Sequence, residues 1–269
     1  MRQSTLVLFA LLLVTVIVLV AVIRHRQCSS CTLSKPLGDL HFDTYVINMP
    51  GDTARMRGFM REYTTCDLSR THGMIRHDAT VGKKLNLAEY VSPKALREIL
   101  RAERTTYRQK HYELTRGGVG CWVSHAALWR KILESDKEYA LIFEDDCIMS
   151  RNLEASMKDI RVPEDWDIVL LGHICNDCTE MECAPTLRVT RFFGLHCYMV
   201  SRRGLLKILA NPKMLRIEKQ IDSVLSDMAR DEELVIYALE EPLARQNNSD
   251  YKTTIQMQLK RVNGVDEWE

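Results

Sequence analysis

Residues 139–146 read Tyr-Ala-Leu-Ile-Phe-Glu-Asp-Asp, an apolar run that ends in three consecutive carboxylates. Five apolar or aromatic residues without polar alternation predict a strand covered on both faces, as in a mainly parallel sheet. Ligand sites in open α/β sheets collect at the carboxyl ends of such strands. Adjacent carboxylates repel one another unless a cation or hydrogen-bond donors offset their charge, so Glu144, Asp145 and Asp146 predict a divalent-metal site. Oxygen ligands favour Mg²⁺ or Mn²⁺ over zinc. The alternative is a solvated acidic turn.

The rest of the chain predicts strands that alternate with helices. Apolar runs and helical spacing place strands at residues 44–48, 167–172 and 197–200, and helices at residues 93–110, 125–133 and 203–209. Strands alternating with helices indicate an α/β sheet.

An apolar stretch close to the N-terminus predicts a membrane anchor. Residues 6–23 are apolar apart from Thr15, and a helix of this length crosses a hydrocarbon core of about 30 Å. A cleaved signal peptide is the alternative, disfavoured because the run is long and no small-x-small site precedes Arg24. We therefore divide the chain into an N-terminal tail (1–5), an anchor (6–23), a stem (24–42), one catalytic domain (43–255) and a polar tail (256–269).

The net charge of the chain limits the class of its binding partners, and its cysteine content indicates the redox compartment in which it folds. The 37 basic and 36 acidic residues leave a net charge of +1, which disfavours a nucleic-acid partner. Nine cysteines, among them Cys28/Cys31 and a loop group of Cys175, Cys178 and Cys183, favour disulfides in an oxidising lumen. A zinc site made from two Cys-x-x-Cys pairs is the alternative.

The Asn247-Asn248-Ser249 sequon is consistent with luminal exposure and a glycoprotein. We expect a single-pass type II protein with its catalytic domain in the endoplasmic reticulum or Golgi lumen. The basic residues flanking the anchor do not by themselves decide the orientation.

Several other polar residues are candidates for the site. Ser124 is predicted to cap the helix that starts near His125, which would let His125 point at the carboxylates; a plain cap and a buried histidine are the alternative. The glycines around Gly118 allow the backbone to approach a ligand closely. Arg55 and Arg57 are either nucleotide contacts or ordinary surface arginines.

In their order along the chain, these segments resemble glycosyltransferase family 25, which includes lipooligosaccharide galactosyltransferases and collagen hydroxylysine galactosyltransferases. The resemblance covers residues 43–251 and rests on Tyr45-Val46-Ile47-Asn48, Arg55 and Arg57, Ala79-x-x-Gly82, Gly118-Val119-Gly120-Cys121-x-x-Ser124-His125, Leu141 to Asp146, Trp166-Asp167-Ile168-Val169-x-Leu171-Gly172, Tyr198-x-Val200-Ser201-x-x-Gly204, Asp222 and Pro242-x-x-x-Gln246.

The chain departs from the family pattern in three places. Met49-Pro50-Gly51 stands where the family usually has Leu-Asp-Arg, and Leu205 replaces the usual alanine. No histidine follows His196, although glycosyltransferases of this fold often add a late histidine to the metal shell.

The resemblance implies a GT-A nucleotide-diphosphosugar-binding fold, with the Glu-Asp-Asp run in place of the Asp-x-Asp metal motif. Glu144 and Asp146 are then expected to bind the metal, Mn²⁺ or alternatively Mg²⁺. The donor is expected to be a UDP-sugar. The residues expected to contact it are Asn48, Arg55, Arg57, Gly118, Ser124 and Asp145.

The expected reaction is an inverting transfer of galactose or glucose to a glycan or protein acceptor. Such a transfer needs a base for the acceptor hydroxyl, and Asp222 is the candidate, with a helix cap as its alternative role; His125 is the second catalytic candidate. A catalytically inactive member of the fold, with a lectin-like or chaperone-like role, is the alternative function. A phosphatase or nuclease is disfavoured because no second metal motif is present.

Overall fold

The computed structural model describes residues 35–106, 113–174, 180–183 and 186–247. The predicted anchor and the polar tail lie outside these ranges. Among the helices of the described ranges, none is both long and apolar enough to cross a bilayer.

Within these ranges the chain forms ten strands and seven α-helices. The strands are β1 (Phe42–Asn48), β2 (Met74–Asp78), β3 (Tyr139–Glu144), β4 (Cys147–Met149), β5 (Ile168–Ile174), β6 (Glu180–Cys183), β7 (Thr186–Arg188), β8 (Phe193–Ser201), β9 (Ile236–Leu239) and β10 (Ala244–Gln246). The helices are α1 (Thr53–Thr65), α2 (Leu87–Tyr90), α3 (Pro93–Thr105), α4 (Arg116–Leu133), α5 (Leu153–Asp159), α6 (Arg202–Ala210) and α7 (Ile221–Arg230).

Eight of the described strands form one sheet in the order β2-β1-β3-β8-β5-β9-β7-β6, while β10 pairs with β4. β1 is parallel to both β2 and β3, and β5 is parallel to β9. β8 lies antiparallel between β3 and β5, and β7 is antiparallel to β9 and β6. Six of these eight strands therefore point the same way, with β8 and β7 reversed. The predicted α/β class with a mainly parallel sheet is confirmed.

Helices cover both faces of this sheet, and β3 shows how its sequence fits between them. Ala140 and Ile142 pack on the side of α3, α4, α6 and α7. Leu141 and Phe143 pack on the side of α1 and α5. All four side chains are buried, which is why the strand has no polar alternation. The prediction of a strand covered on both faces is confirmed.

The described residues include the last part of the predicted stem. Leu37 is fully buried, and its backbone N–H donates to the carbonyl of Ile160 at 2.9 Å. Residues next to β1 therefore belong to the core and not to a free connector.

Helix α4 begins at Arg116, nine residues before the predicted start at His125. Thr115 caps it, because its hydroxyl accepts from the backbone N–H of Gly118 at 3.0 Å. Ser124 consequently lies in the middle of the helix, where its hydroxyl donates to the carbonyl of Gly120 at 2.6 Å. The predicted capping role of Ser124 is wrong.

Close packing explains why a glycine-rich segment is helical here. Glycine costs about 1 kcal/mol relative to alanine inside a helix. A Cβ built on Gly120 would lie 2.8 Å from both the backbone N of Gly82 and the carbonyl O of Thr80. Only glycine lets α4 approach this loop so closely. The approach brings the first turns of α4 beside the carboxyl end of β3.

Candidate functional site

A cavity of about 790 Å³ opens at the carboxyl ends of β1 and β3, beside the first turns of α4. Glu144, Asp145 and Asp146 line it together with Arg55 of α1 and Gln246 of β10. Ile47 of β1 pairs with Glu144 of β3 in the parallel register, so both strands end at the same wall. The acidic run therefore lies in a cavity and not on a solvated turn.

Asp145 is occupied by two neighbours on adjacent elements. Arg55 Nε donates to its Oδ1 at 2.7 Å, and Asn48 Nδ2 donates to its Oδ2 at 2.6 Å. Only 6% of Asp145 is exposed. Burial raises its pKa, while Arg55 and Asn48 act in the opposite direction. Since both carboxylate oxygens are engaged, Asp145 serves to hold Arg55 in place.

Asp146 keeps one carboxylate oxygen without a partner. Its Oδ2 accepts from Gln246 Nε2 at 3.0 Å and lies 3.1 Å from Arg55 Nη2. Its Oδ1 is buried and has no hydrogen bond within the described residues. Burial, followed by the charge of Glu144, raises the pKa of Asp146 to about 6. A buried polar atom left unpaired costs about 1–3 kcal/mol, more if charged, so this oxygen is placed for a ligand.

Glu144 also divides its two oxygens between protein and cavity. His125 Nε2 lies 3.0 Å from its Oε1, and Cys121 Sγ lies 3.9 Å from the same atom. The described residues give Oε2 no hydrogen bond. Burial by itself would raise the pKa of Glu144, but the hydrogen bond from His125 and the positive charge of neighbouring groups, Arg55 among them, together outweigh burial and lower it. Glu144 is thus held ionised.

These carboxylates fit a hard divalent cation. Glu144 and Asp146 each present one oxygen without a protein partner, which suits Mg²⁺ or Mn²⁺. A second group of potential ligand atoms, from Cys121, His125 and Glu144, lies within 4.8 Å of one another. Sulfur and nitrogen would favour zinc. However, burial raises the pKa of Cys121 well above its usual value, which keeps it a thiol and a poor ligand.

Another part of the cavity lining carries positive charge from basic side chains and from the N-terminus of α4. It includes the exposed Lys83 and, at the start of α4, Arg116 and Gly117. Arg116 Nε is paired with Glu103 at 2.7 Å, whereas the described residues provide Lys83 with no ion-pair partner. The N-terminus of an 18-residue helix carries partial positive charge. The cavity can therefore hold an anionic ligand together with a cation.

Comparison with known proteins identifies the family. The family model described as "Glycosyltransferase family 25 (LPS biosynthesis protein)" matches residues 41–225, more than half of the sequence. The chain belongs to glycosyltransferase family 25. The family resemblance predicted from the motifs is confirmed.

Curated relatives of family 25 include both active and inactive members. The chain is 32% identical over 157 residues to procollagen galactosyltransferase 1-A of Xenopus laevis, covering 53% of this chain and 25% of that protein. It is 27% identical over 156 residues to human procollagen galactosyltransferase 2, covering 53% and 24%. It is 30% identical over 115 residues to the mouse inactive glycosyltransferase 25 family member 3, covering 39% and 19%. The chain thus spans about a quarter of the length of the relatives it matches.

Among solved structures, the chain aligns in part with the crystal structure of GalNAc-T7 with UDP, GalNAc and Mn²⁺. It aligns with a TM-score of 0.46 at 7% identity, covering 77% of this chain and 43% of that one.

The fold brings most of the predicted site residues of this family 25 chain together. Six of them line the cavity: Arg55, Ser124, His125, Glu144, Asp145 and Asp146. Asn48 is buried, and its Nδ2 binds Asp145, so it supports the wall from behind. The hydroxyl of Ser124 is already engaged, because it accepts from Thr80 N at 2.8 Å and donates to Gly120.

Two further predicted residues, Arg57 and Gly118, do not line the cavity. Arg57 is exposed on the other side of α1, where it lines a separate groove with Arg61. A Cβ on Gly118 would meet the side chain of Gln220 at 2.5 Å, so Gly118 packs against the start of α7, and its neighbour Gly117 lines the cavity instead. Neither position supports the predicted donor contact.

Asp222, the predicted base, lies in the first turn of α7. Its Oδ2 accepts from Gly194 N at 3.0 Å, and its Oδ1 accepts from Ser223 N at 2.7 Å. Burial raises its pKa and the charge of Glu144 adds to this, while the hydrogen bonds from Gly194 and Ser223 act in the opposite direction. Asp222 is not a lining residue, and its catalytic role stays a prediction.

Among the lining residues that were not predicted as site residues, three have polar side chains that bear on the site: Cys121, Gln246 and Lys83. Cys121 precedes His125 by one helical turn and therefore shares its face, a signal the sequence did contain. Gln246 and Lys83 reach the cavity from distant segments, and only the tertiary structure brings them there.

We predict that Asp145→Asn lowers the free energy of unfolding by about 3 kcal/mol, because removal of one partner leaves a buried arginine poorly compensated. The matched control is Asp78→Asn. It breaks the Arg76–Asp78 pair, whose side chains are 40% and 69% exposed, and should cost below about 1 kcal/mol. Urea denaturation of both variants measures the difference. Equal losses in the free energy of unfolding would show that the buried Arg55–Asp145 pair stabilises the fold no more than the exposed Arg76–Asp78 pair does.

Proposed function

We propose that this chain is a metal-dependent glycosyltransferase that transfers galactose or glucose from a UDP-sugar to a hydroxyl of a glycan or protein acceptor. The observation that carries the proposal is the buried, unpartnered Oδ1 of Asp146 in the cavity of a family 25 chain. The procollagen galactosyltransferases among the relatives favour galactose and a protein acceptor. A GT-A nucleotide-diphosphosugar-binding character of the fold is part of the proposal.

The lining residues suit a sugar donor whose leaving group is a nucleoside diphosphate. A divalent cation held by Glu144 and Asp146 would supply positive charge to the phosphates as the glycosidic bond breaks. The Arg55–Asp145 pair keeps the neighbouring wall rigid, and Lys83 offers a cation for a phosphate or another anionic group of the donor. His125 fixes Glu144 from within the core.

The acceptor hydroxyl must lose a proton during an inverting transfer, which is the stereochemistry that the family resemblance implies. Asp222 remains our proposed base. Its raised pKa moves it toward the range in which a carboxyl group exchanges protons near neutral pH. To act, its carboxylate would exchange one of its backbone hydrogen bonds for the acceptor hydroxyl.

Activity should depend on Asp146 and on a divalent cation. The full chain in detergent is incubated with a panel of UDP-sugars, with and without Mn²⁺, and both sugar release and transfer to collagen-derived peptides or glycans are measured. We expect turnover only with Mn²⁺ or Mg²⁺. Asp146→Asn should abolish turnover and weaken UDP binding in the presence of Mn²⁺ only, while the exposed Asp78→Asn should behave as the parent.

The Asp222→Asn variant tests whether Asp222 is the catalytic base or has only a structural role. A lost base lowers turnover by about a hundredfold or more while UDP and metal binding survive. Normal turnover of this variant would reject Asp222 as the base. Equal UDP affinity of Asp146→Asn and the parent in Mn²⁺ would reject the metal assignment.

Metal binding should depend on pH through Asp146. Its folded pKa of about 6 lies above the ordinary value of about 3.9. The protonated form therefore favours the fold, and without metal this contribution is present at low pH and is lost as pH rises through about 4 to 6. A metal ion needs the ionised form and must displace the proton at pH 5.

We expect Mn²⁺ affinity to be about tenfold weaker at pH 5 than at pH 7.5, because one unit below a pKa leaves about a tenth of the group ionised. Glu144, whose pKa is lowered, stays ionised over this range. Titration calorimetry at the two pH values measures the affinity. In Asp146→Asn, the residual affinity should lose its pH dependence, and a parent with equal affinity at both pH values would contradict the prediction.

A catalytically inactive binding protein is the second candidate, and the inactive family members among the relatives favour it. It would bind UDP and Mn²⁺ but release no sugar from any donor. The same panel of UDP-sugars therefore decides between the two functions.

We also propose that residues 6–23 anchor a type II protein whose catalytic domain lies in the endoplasmic reticulum or Golgi lumen. The apolar stretch, the number of cysteines and the sequon at Asn247 support this. The structure describes four cysteine side chains, and all four are free thiols: Cys66, Cys121, Cys147 and Cys197. The predicted loop disulfides involve Cys175, Cys178 and Cys183, whose side chains lie outside the description.

Membrane orientation can be read from intact microsomes. We expect the catalytic domain to resist added protease until detergent is present, and an endoglycosidase to shift the mass of the parent but not of Asn247→Gln. Digestion of the domain in sealed vesicles would contradict the luminal placement.

A further inference from the structure

A chain of buried hydrogen bonds runs from the core to Glu144. Trp129 Nε1 lies 2.9 Å from the hydroxyl of Tyr198, which lies 2.9 Å from Nδ1 of His125. His125 Nε2 in turn lies 3.0 Å from Oε1 of Glu144. The side chains of Trp129, Tyr198 and His125 are all fully buried.

These four residues come from one helix and two neighbouring strands. His125 and Trp129 are one turn apart on α4, so they share a face. Tyr198 lies on β8 opposite Ile142 of β3, the strand that ends in Glu144. The hydrogen-bond chain therefore ties α4 to two neighbouring strands directly behind the cavity wall.

The direction of the hydrogen bonds follows from what each group can donate. An indole N–H is only a donor, so the hydroxyl of Tyr198 accepts from Trp129. Within the described residues, that hydroxyl has one remaining partner, Nδ1 of His125. If Nδ1 carried a proton, the buried O–H of Tyr198 would have no acceptor, which is unfavourable. Tyr198 therefore donates to Nδ1, and the proton of the neutral ring is on Nε2.

We propose that Tyr198 and Trp129 are positioning residues that hold His125 as the neutral Nε2–H tautomer, so that His125 is a fixed donor to Oε1 of Glu144 and leaves Oε2 for the metal. Both ring nitrogens of His125 are then engaged. His125 consequently acts as a positioning residue and not as the proton-transfer catalyst that its place in the sequence had suggested. The metal part of this proposal rests on the proposed function, whereas the tautomer does not.

The tautomer can be observed directly by NMR. The full chain is labelled with ¹⁵N-histidine, and the ring signals of His125 among the eight histidines are identified by their loss in His125→Gln. We expect a protonated Nε2 and an unprotonated Nδ1 in the parent. A protonated Nδ1, or protonation of both nitrogens, would overturn the proposal.

Removal of one hydroxyl tests the role of Tyr198. In Tyr198→Phe, the single tautomer signature should be lost, and Mn²⁺ affinity should fall by about ten- to a hundredfold, the usual effect of losing a group that orients a metal ligand. Tyr63→Phe is the matched control. Tyr63 is also a buried tyrosine, and its hydroxyl donates to the carbonyl of His72 at 2.6 Å, away from the cavity.

The control should keep the tautomer and the Mn²⁺ affinity of the parent. A Tyr198→Phe protein with the parent's tautomer would reject the positioning role, and so would one whose Mn²⁺ affinity matches that of Tyr63→Phe. If the chain proves inactive with every donor but shows the expected tautomer, the proposed function fails and the tautomer stands. Should Tyr198→Phe not fold, the parent spectrum still decides the tautomer.

Discussion

The site depends on the buried ion pair between Arg55 and Asp145. Three carboxylates meet at the end of β3, and Arg55 makes shorter contacts with Asp145 than with Asp146. Asp145 is neutralised by this pair, whereas Glu144 and Asp146 each retain an oxygen without a protein donor. Protein donors therefore engage both carboxylate oxygens of Asp145 but only one oxygen each of Glu144 and Asp146. Such an arrangement is stable when an external cation completes it.

The sheet topology explains why this pair forms where it does. β1 and β3 are parallel neighbours, so Asn48 at the end of one strand meets Asp145 just past the end of the other. Helix α1 follows β1 after a short turn, and Asp52 caps it by accepting from the backbone N–H of Arg55 at 3.1 Å. The cap fixes the first turn of α1 and therefore the direction of the arginine side chain. The helix cap at Asp52 and the parallel pairing of β1 with β3 together place Arg55 against Asp145.

The sequence predicted the parts of this structure that depend on local patterns. The apolar run of β3 was interpreted correctly because burial on both faces leaves a clear pattern, whereas the metal-binding role of the acidic residues after it stays a prediction. The start of α4 was missed, since the glycines at 117, 118 and 120 oppose a helix locally and only the contact of Gly120 with Gly82 explains them. Arg55 and Arg57 were treated alike, although residues two apart on a helix face different directions. Tyr198 and Gln246 reach the site through tertiary contacts that no local pattern contains.

The unpartnered oxygen of Asp146 also bears on whether the chain is an enzyme or an inactive relative. A buried carboxylate with a raised pKa and an unsatisfied Oδ1 costs stability that a small apolar residue would not. Proteins retain such costly groups mainly where function needs them. A family member that binds no cation would gain stability by losing this group, whereas one that holds a cation against a diphosphate needs it. The cost built into Asp146 therefore supports cation binding by this chain, which the proposed transferase requires and which sequence identity to both active and inactive relatives cannot establish.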